Sequence, residues 1–326
     1  MLESWQKLVD GVKEGRIISL AKCITRVENR EPGWKDAMKA ICAEAGTPRV
    51  IGITGPPGAG KSTLTGKIAS CFSAKGLQVG IIAIDPSSPF SGGALLGDRL
   101  RMSEAFSDSN IYIRSMATRG ALGGLCQAAR DVARIMDAFG KDIIIIETVG
   151  VGQDEIEVVK AADLVAVVSV PGQGDGVQAI KAGIMEIADI FVVNKADRED
   201  ADVVVADIEG MLNMTCERSG PTPSVIKTTA LENEGINDLV ELMTQLLDDQ
   251  HQDRQRDELR VKDELLLFIE REISRHVTEV FGNSGVLERA VQDILSRNSN
   301  LYSVVDTLLP GVENAISKEC AKEYYS

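Results

Sequence analysis

The chain is constrained above all by the eight residues Gly55-Pro56-Pro57-Gly58-Ala59-Gly60-Lys61-Ser62, which read G-x-x-x-x-G-K-S. An apolar run, Val50 to Thr54, precedes them, and a helix-compatible segment beginning at Thr63 follows. A strand, a glycine-rich loop and a helix in this order make a phosphate cradle. Glycines let the backbone turn tightly and aim successive N–H groups at phosphate oxygens. The helix start adds the positive end of its dipole. Lys61 supplies a charge for the β- and γ-phosphates, and the Ser62 hydroxyl suits a magnesium ion.

From residue 47 onward the pattern alternates between strands and helices. Strands are expected at Val50–Thr54, Val79–Asp85, Ile111–Arg114, Asp142–Glu147, Leu164–Val170, Ile190–Asn194 and Ser224–Thr228. Helices are expected at Lys61–Ala74, Leu122–Ala138, Asp154–Ala161, Val177–Ile187, Ala201–Cys216 and Ile236–Leu247. Continuous apolar strands such as I-I-I-I-E read as central parallel strands buried on both faces. The expected fold is α/β, a doubly wound, mostly parallel sheet with ligands at the carboxyl ends of its strands. Residues 1–46 show helical spacing and are read as an N-terminal extension packed on the domain at 47–250. Near Asp248 the composition turns polar and charge-mixed. Beyond it Leu259, Leu265, Leu266, Ile269, Ile273, Val277 and Val280 share a helical stripe ending at Gly282-Asn283-Ser284-Gly285. Residues 251–326 have no sheet, so this stripe must bury elsewhere, either folded back on the domain or as a dimer arm, and a dimerisation arm is the favoured expectation.

Composition narrows the partners. The net charge is −14 and aromatic residues are 4%, so neither nucleic acid nor an anionic membrane surface is an expected partner. The six cysteines are scattered without a C-x-x-C, and there are two histidines, which disfavours a zinc site or a disulfide framework. The N-terminus lacks an apolar signal core, and no apolar run approaches the length of a membrane span. The expected location is cytoplasmic.

A second group of motifs gathers around the phosphate loop. Asn194-Lys195-Ala196-Asp197 follows an apolar strand and reads N-K-x-D. Its aspartate accepts from guanine N1–H and the exocyclic amine, a pair adenine does not offer, while the asparagine amide and lysine stem are expected against the base. Thr229-Ala230-Leu231 ends the next strand in the place of a loop that backs the base. Glu147-Thr148-Val149-Gly150 closes another strand where a D-x-x-G would hold magnesium and meet the γ-phosphate. Asp85 ends the second strand, and Asp98 lies in the glycine-rich loop after it; both are candidate metal ligands, with Asp98 the better switch contact and Arg99 and Arg101 candidates for neutralising phosphate charge. Pro171-Gly172-Gln173-Gly174-Asp175-Gly176 is either a flexible turn or a further switch, and Lys181 just beyond is a candidate to reach the nucleotide, Glu147 or Asp154. Val151 stands where small GTPases carry a water-positioning glutamine, so slow intrinsic hydrolysis accelerated by a partner is expected.

The strings GITGPPGAGKST, AIDPSSPFSGGALLGDRLRM, ETVGVGQDE, PGQGDGVQAIKAG and VVNKAD, in this order, resemble the methylmalonyl-CoA mutase-associated GTPases of the MeaB/ArgK type over roughly residues 10–300. The resemblance implies a P-loop GTPase of the metallochaperone class, homodimeric, using GTP/GDP and Mg2+. It implies a role in gating adenosylcobalamin loading into methylmalonyl-CoA mutase or a related acyl-CoA mutase, and in protecting or reactivating that enzyme. It places the phosphate loop on Gly55–Thr63, the guanine motif on Asn194, Lys195 and Asp197, metal and catalytic acids on Asp85, Asp98 and Glu147, and a further switch on Gln173–Lys181. Three other readings stand beside it. A nickel-insertion GTPase would carry Cys/His clusters, which this chain lacks, and a kinase would need an acceptor site and, usually, adenine specificity, which N-K-A-D opposes. A binding module with a silent nucleotide site is opposed by the intact Lys61, Ser62, Asp98 and Glu147.

Overall fold

The computed structural model describes residues 3–43, 45–46, 48–85, 108–117, 124–148, 161–172, 187–214, 222–252, 254–282 and 285–310. Three helices open the chain, α1 (Trp5–Lys13), α2 (Ile17–Glu28) and α3 (Trp34–Cys42). They lead into β1 (Arg49–Thr54), α4 (Lys61–Ala74), β2 (Val79–Asp85), β3 (Ile111–Ala117), α5 (Gly124–Ala138), β4 (Ile143–Thr148), β5 (Leu164–Ser169), β6 (Ile190–Asn194), α6 (Ala201–Met214), β7 (Ser224–Thr228) and α7 (Ile236–Gln252). The sheet has seven strands in the order β3-β2-β4-β1-β5-β6-β7, and every pairing between them is parallel. The carboxyl ends of all strands therefore share one edge, and β1, which feeds the phosphate loop, lies in the middle of it.

Strand periodicity explains both the apolar runs and the position of the polar residues that end them. Successive side chains point to opposite faces. Along β4, Ile143 and Ile145 pack with α4 and α7, whereas Ile144 and Ile146 pack with α2, α3 and α5. The next residue on the α4 side is Glu147. In β6, Ile190 and Val192 belong to the α4 and α7 side, while Phe191 and Val193 pack against α6. The next residue on the α4 side is Asn194. The alternation that buries four isoleucines thus also aims the terminal polar residue at the helix whose first turn carries Ser62.

Three aspartates fix the register at the opposite edge. The Val50 N–H donates to Asp163 Oδ2 at 2.7 Å, the Gln78 N–H to Asp142 Oδ2 at 2.7 Å, and the Val165 N–H to Asp189 Oδ2 at 2.8 Å. Each aspartate stands immediately before β5, β4 or β6 and caps an N–H at the entry of the neighbouring strand. A one-residue slip would exchange the two faces of a strand and move every core side chain to the opposite helical layer, and these charge-assisted bonds oppose it. Asp142, expected inside the strand, is one of these pins.

The expected strand Ile111–Arg114 runs on to Ala117. Arg114 sits within this edge strand, bonded to Glu28 and to Thr25 Oγ1 of α2, so the N-terminal helices are tied to the edge strand. They also share a buried cluster with α5 that includes Leu20, Ile24, Val27, Ile41, Val132 and Met136. The expected helix Ile236–Leu247 continues to Gln252, through the polar run that begins at Asp248.

The chain divides into two compact units, residues 1–252 and 253–326. The second contains α8 (Arg254–Gly282), α9 (Val286–Leu295) and a helix α10 over 301–310. Among the described residues no helix is long and apolar enough to cross a membrane.

Replacing Asp163 with Ala leaves the Val50 N–H without its acceptor and is expected to cost about 1–3 kcal/mol, read as a fall of several degrees in Tm. Asp163→Asn, which keeps an acceptor oxygen, is expected to cost less. Equal Tm values for the parent and the alanine variant would remove the register role.

Candidate functional site

The site is built on the turn from β1 into α4. Gly55 has φ 142°, and a Cβ there would lie 2.2 Å from the Val168 carbonyl oxygen of β5. Gly60 has φ 84°, and a Cβ there would lie 2.7 Å from Asn194 Nδ2. Both positions exclude any side chain, since a non-glycine residue would be strained and would displace packed atoms. The loop is therefore pressed between β5 and the end of β6, with its backbone at the carboxyl edge of the sheet.

Lys61 is buried, and its ammonium donates to the carbonyls of Gly55 at 2.6 Å and Pro56 at 3.0 Å. A buried cation needs such partners to offset its desolvation. They hold the charge directly over the phosphate loop. Beside it, Ser62 Oγ donates to Glu147 Oε1 at 2.6 Å, and Glu147 is buried. The β1–β4 register sets Glu147 opposite Ile53, two residues before Gly55. A hydroxyl and a carboxylate in contact at a helix start form an all-oxygen donor set, which fits a small hard divalent cation that takes its remaining ligands from phosphate and water. Among the described residues no cluster of three or more His, Cys, Asp or Glu is placed to hold a metal. A Mg2+ bound jointly with phosphates does not require one.

Asn194 joins three loops. Its Nδ2 donates to the Ala59 carbonyl of the phosphate loop at 2.8 Å. Its Oδ1 accepts from the Ala230 N–H at 3.1 Å and from Thr228 Oγ1 at 3.2 Å. Asn194 is buried, and its amide, expected against a base, bonds the loops on either side of it. Lys195 takes a left-handed backbone with φ 58°, and its Nζ donates to the Gly58 carbonyl at 2.8 Å. The lysine stem thereby crosses the phosphate loop. Asp197 is exposed on the turn that follows. Thr229 and Ala230 are buried, and Leu231 is exposed. This loop is closed by a bridge between Thr229 and Glu234.

Of the sequence candidates, the structure brings together Gly55 through Thr63, Glu147, Asn194, Lys195, Asp197 and the loop Thr229–Leu231. Asp85 is the last residue of β2 at the same edge. Asp98, Arg99, Arg101, Gly150, Gln153, Asp154, Gln173 and Lys181 lie outside the described residues, as do most of the helices expected at Asp154–Ala161 and Val177–Ile187. One contact escapes sequence reading: Arg198 reaches the Pro171 carbonyl, with the guanidinium nitrogen 3.2 Å away.

Comparison with known proteins gives concordant results. The family described as methylmalonyl Co-A mutase-associated GTPase MeaB matches residues 20–281. A protein of Pyrococcus horikoshii named as a GTPase is 43% identical over 309 residues, covering 93% of this chain and 96% of the relative. The GTPase ArgK of Escherichia coli is 37% identical over 236 residues, covering 70% of this chain and 71% of the relative. A solved structure described as LAO/AO transport system kinase superposes with a TM-score of 0.73 at 23% identity, covering 96% of this chain and 100% of that one, and so shares the fold.

Asn194→Ala removes the donor to Ala59 and the acceptor of Ala230 together. Each buried group left unpaired costs about 1–3 kcal/mol, so a lower Tm and at least roughly tenfold weaker GTP binding are expected by calorimetric titration. Binding equal to that of the parent would show that the three loops keep their places without the amide.

Proposed function

The chain belongs to the MeaB family of methylmalonyl-CoA mutase-associated GTPases, and from that premise we propose that it couples GTP hydrolysis to the care of an adenosylcobalamin-dependent acyl-CoA mutase. Within that reading it gates loading of the cofactor and protects or reactivates the enzyme, with methylmalonyl-CoA mutase as the first client to test. The observation that carries the nucleotide half is the meeting of the Ser62–Glu147 pair and the N-K-A-D turn on one phosphate loop. The family description supports the mutase half.

The proposed division of labour follows the geometry. Backbone N–H groups of Gly58–Thr63 hold the phosphates, and Lys61 moves from its loop carbonyls onto the β/γ oxygens. Ser62 and Glu147 hold Mg2+, with Asp85 and Asp98 as further candidate acids. A bound Mg2+ would supply charge neutralisation at the phosphate oxygens. Asp197 reads guanine, and Thr229, Ala230 and Leu231 back the base. Asp98 and Lys181 are proposed to act on the γ-phosphate side. With Val151 in place of a positioning glutamine, the chain's own hydrolysis is expected to be slow until the client orders the switches.

The protein is further proposed to work in the cytoplasm as a homodimer through the unit at 253–326. Support for the dimer is the row of exposed Leu259, Leu265, Leu266 and Ile269 on α8 and of Leu287, Val291 and Leu295 on α9, more apolar surface than a monomeric helix pair leaves in water.

Lys61→Ala is expected to abolish GTP turnover, and turnover equal to the parent's would end the phosphate-loop assignment. Asp197→Asn is expected to weaken GTP and favour xanthosine triphosphate, so an unaltered base preference would end the guanine assignment. GTP hydrolysis measured with and without the acyl-CoA mutase from the same source is expected to rise on the order of tenfold or more. No acceleration, and no co-elution of the two proteins, would leave a GTPase with a different client.

A further inference from the structure

The turn that carries Asp197 is fixed on its leading side. Asn194 and Lys195 are both tied to the phosphate loop, and the Ala196 N–H donates to the Thr228 carbonyl at 3.1 Å. On its trailing side the backbone bonds among the described residues are local. The Arg198 N–H donates to the Lys195 carbonyl at 3.1 Å, and the Ala201 N–H to the Arg198 carbonyl at 3.2 Å. These close the turn and start α6. The side chain of Arg198 adds a longer tie. Its guanidinium donates at 3.2 Å to the carbonyl of Pro171. Pro171 is buried and follows Val170, a core residue just past β5.

β5 also supplies the Val168 carbonyl against which Gly55 is pressed. Arg198 thus connects the far end of the guanine turn to the same strand that positions the phosphate loop. An arginine on a protein surface is ordinarily solvated. Arg198 is exposed, yet it also places a permanently charged donor on a main-chain carbonyl of a neighbouring loop. Asp202, in the first turn of α6, accepts from Lys227 at 2.8 Å.

From this geometry we infer that Arg198 is a positioning residue for base selection, holding the Asp197 carboxylate at the height of the guanine edge. The inference rests on the guanine reading proposed above. A single carboxylate that must accept two N–H groups at once discriminates only if its backbone is fixed on both flanks, because tolerances at such a site are about 0.5 Å. A loose trailing flank lets the carboxylate keep one bond and lose the other. The loss should fall on the bond to the exocyclic amine, the group that inosine triphosphate lacks.

The test is titration of the full chain with GTP, inosine triphosphate and ATP, for the parent, Arg198→Ala and Arg198→Lys, with Tm recorded for each. The expected result for Arg198→Ala is an unchanged Tm, GTP affinity lower by about tenfold, and inosine triphosphate affinity nearly unchanged, so that the preference between the two collapses. Arg198→Lys, which keeps one donor of comparable reach, is expected to recover part of that preference. If Arg198→Ala retains the parent's preference, or loses affinity equally for all three nucleotides, the positioning role is overturned while the guanine reading stands. If the parent itself does not prefer GTP over inosine triphosphate and ATP, the guanine reading falls and this inference falls with it.

Discussion

The carboxamide of Asn194 is the interaction on which the site depends. One end bonds the phosphate loop at Ala59, and the other takes the N–H of Ala230 and the hydroxyl of Thr228. An amide is suited to this because it is donor and acceptor in one rigid plane. Buried, it costs free energy unless both ends are satisfied, so the three loops hold each other in register. The close fit of Gly60 beneath it follows from the same contact, since any Cβ would meet Nδ2.

What brings Asn194 to that point is the sheet. Seven parallel strands carry their carboxyl ends to one edge, and the two-residue period selects which polar terminus faces α4. Glu147 and Asn194 are each the next residue, on the α4 face, after a pair of buried aliphatics. At the other edge Asp142, Asp163 and Asp189 oppose any slip of the strands. Core packing and site geometry are one arrangement: a change of register would misplace the Glu147 carboxylate and the Asn194 amide together.

The site that results suits a nucleotide switch. Its phosphate side is built from backbone and from oxygen ligands that gain their full complement only with phosphate present. Its base side is tied to the same strand and loop. Binding energy from the base can therefore orient the phosphates, a use of remote contacts that favours the reacting geometry over mere affinity.

The sequence by itself determined the fold class, the phosphate loop and the N-K-A-D turn, because each is a local pattern with a local physical cause: glycines where the backbone must turn, apolar runs where a strand is buried on both faces. It also held the register pins in plain view, as an acid directly before I-I-I-I, L-V-A-V and I-F-V-V, though nothing local says which neighbouring N–H such an acid will cap. Strand β3 was legible only as far as Arg114, since a charged residue ends an apolar run; tertiary structure carried it on by giving that arginine Glu28 and Thr25 of α2. Tertiary structure alone decided that Asn194 bonds the Ala59 carbonyl, that Glu147 meets Ser62, and that Arg198 reaches Pro171. Those contacts join residues 135, 85 and 27 positions apart, and a hydrogen bond across such a separation exists only once the sheet has set the distance between its partners.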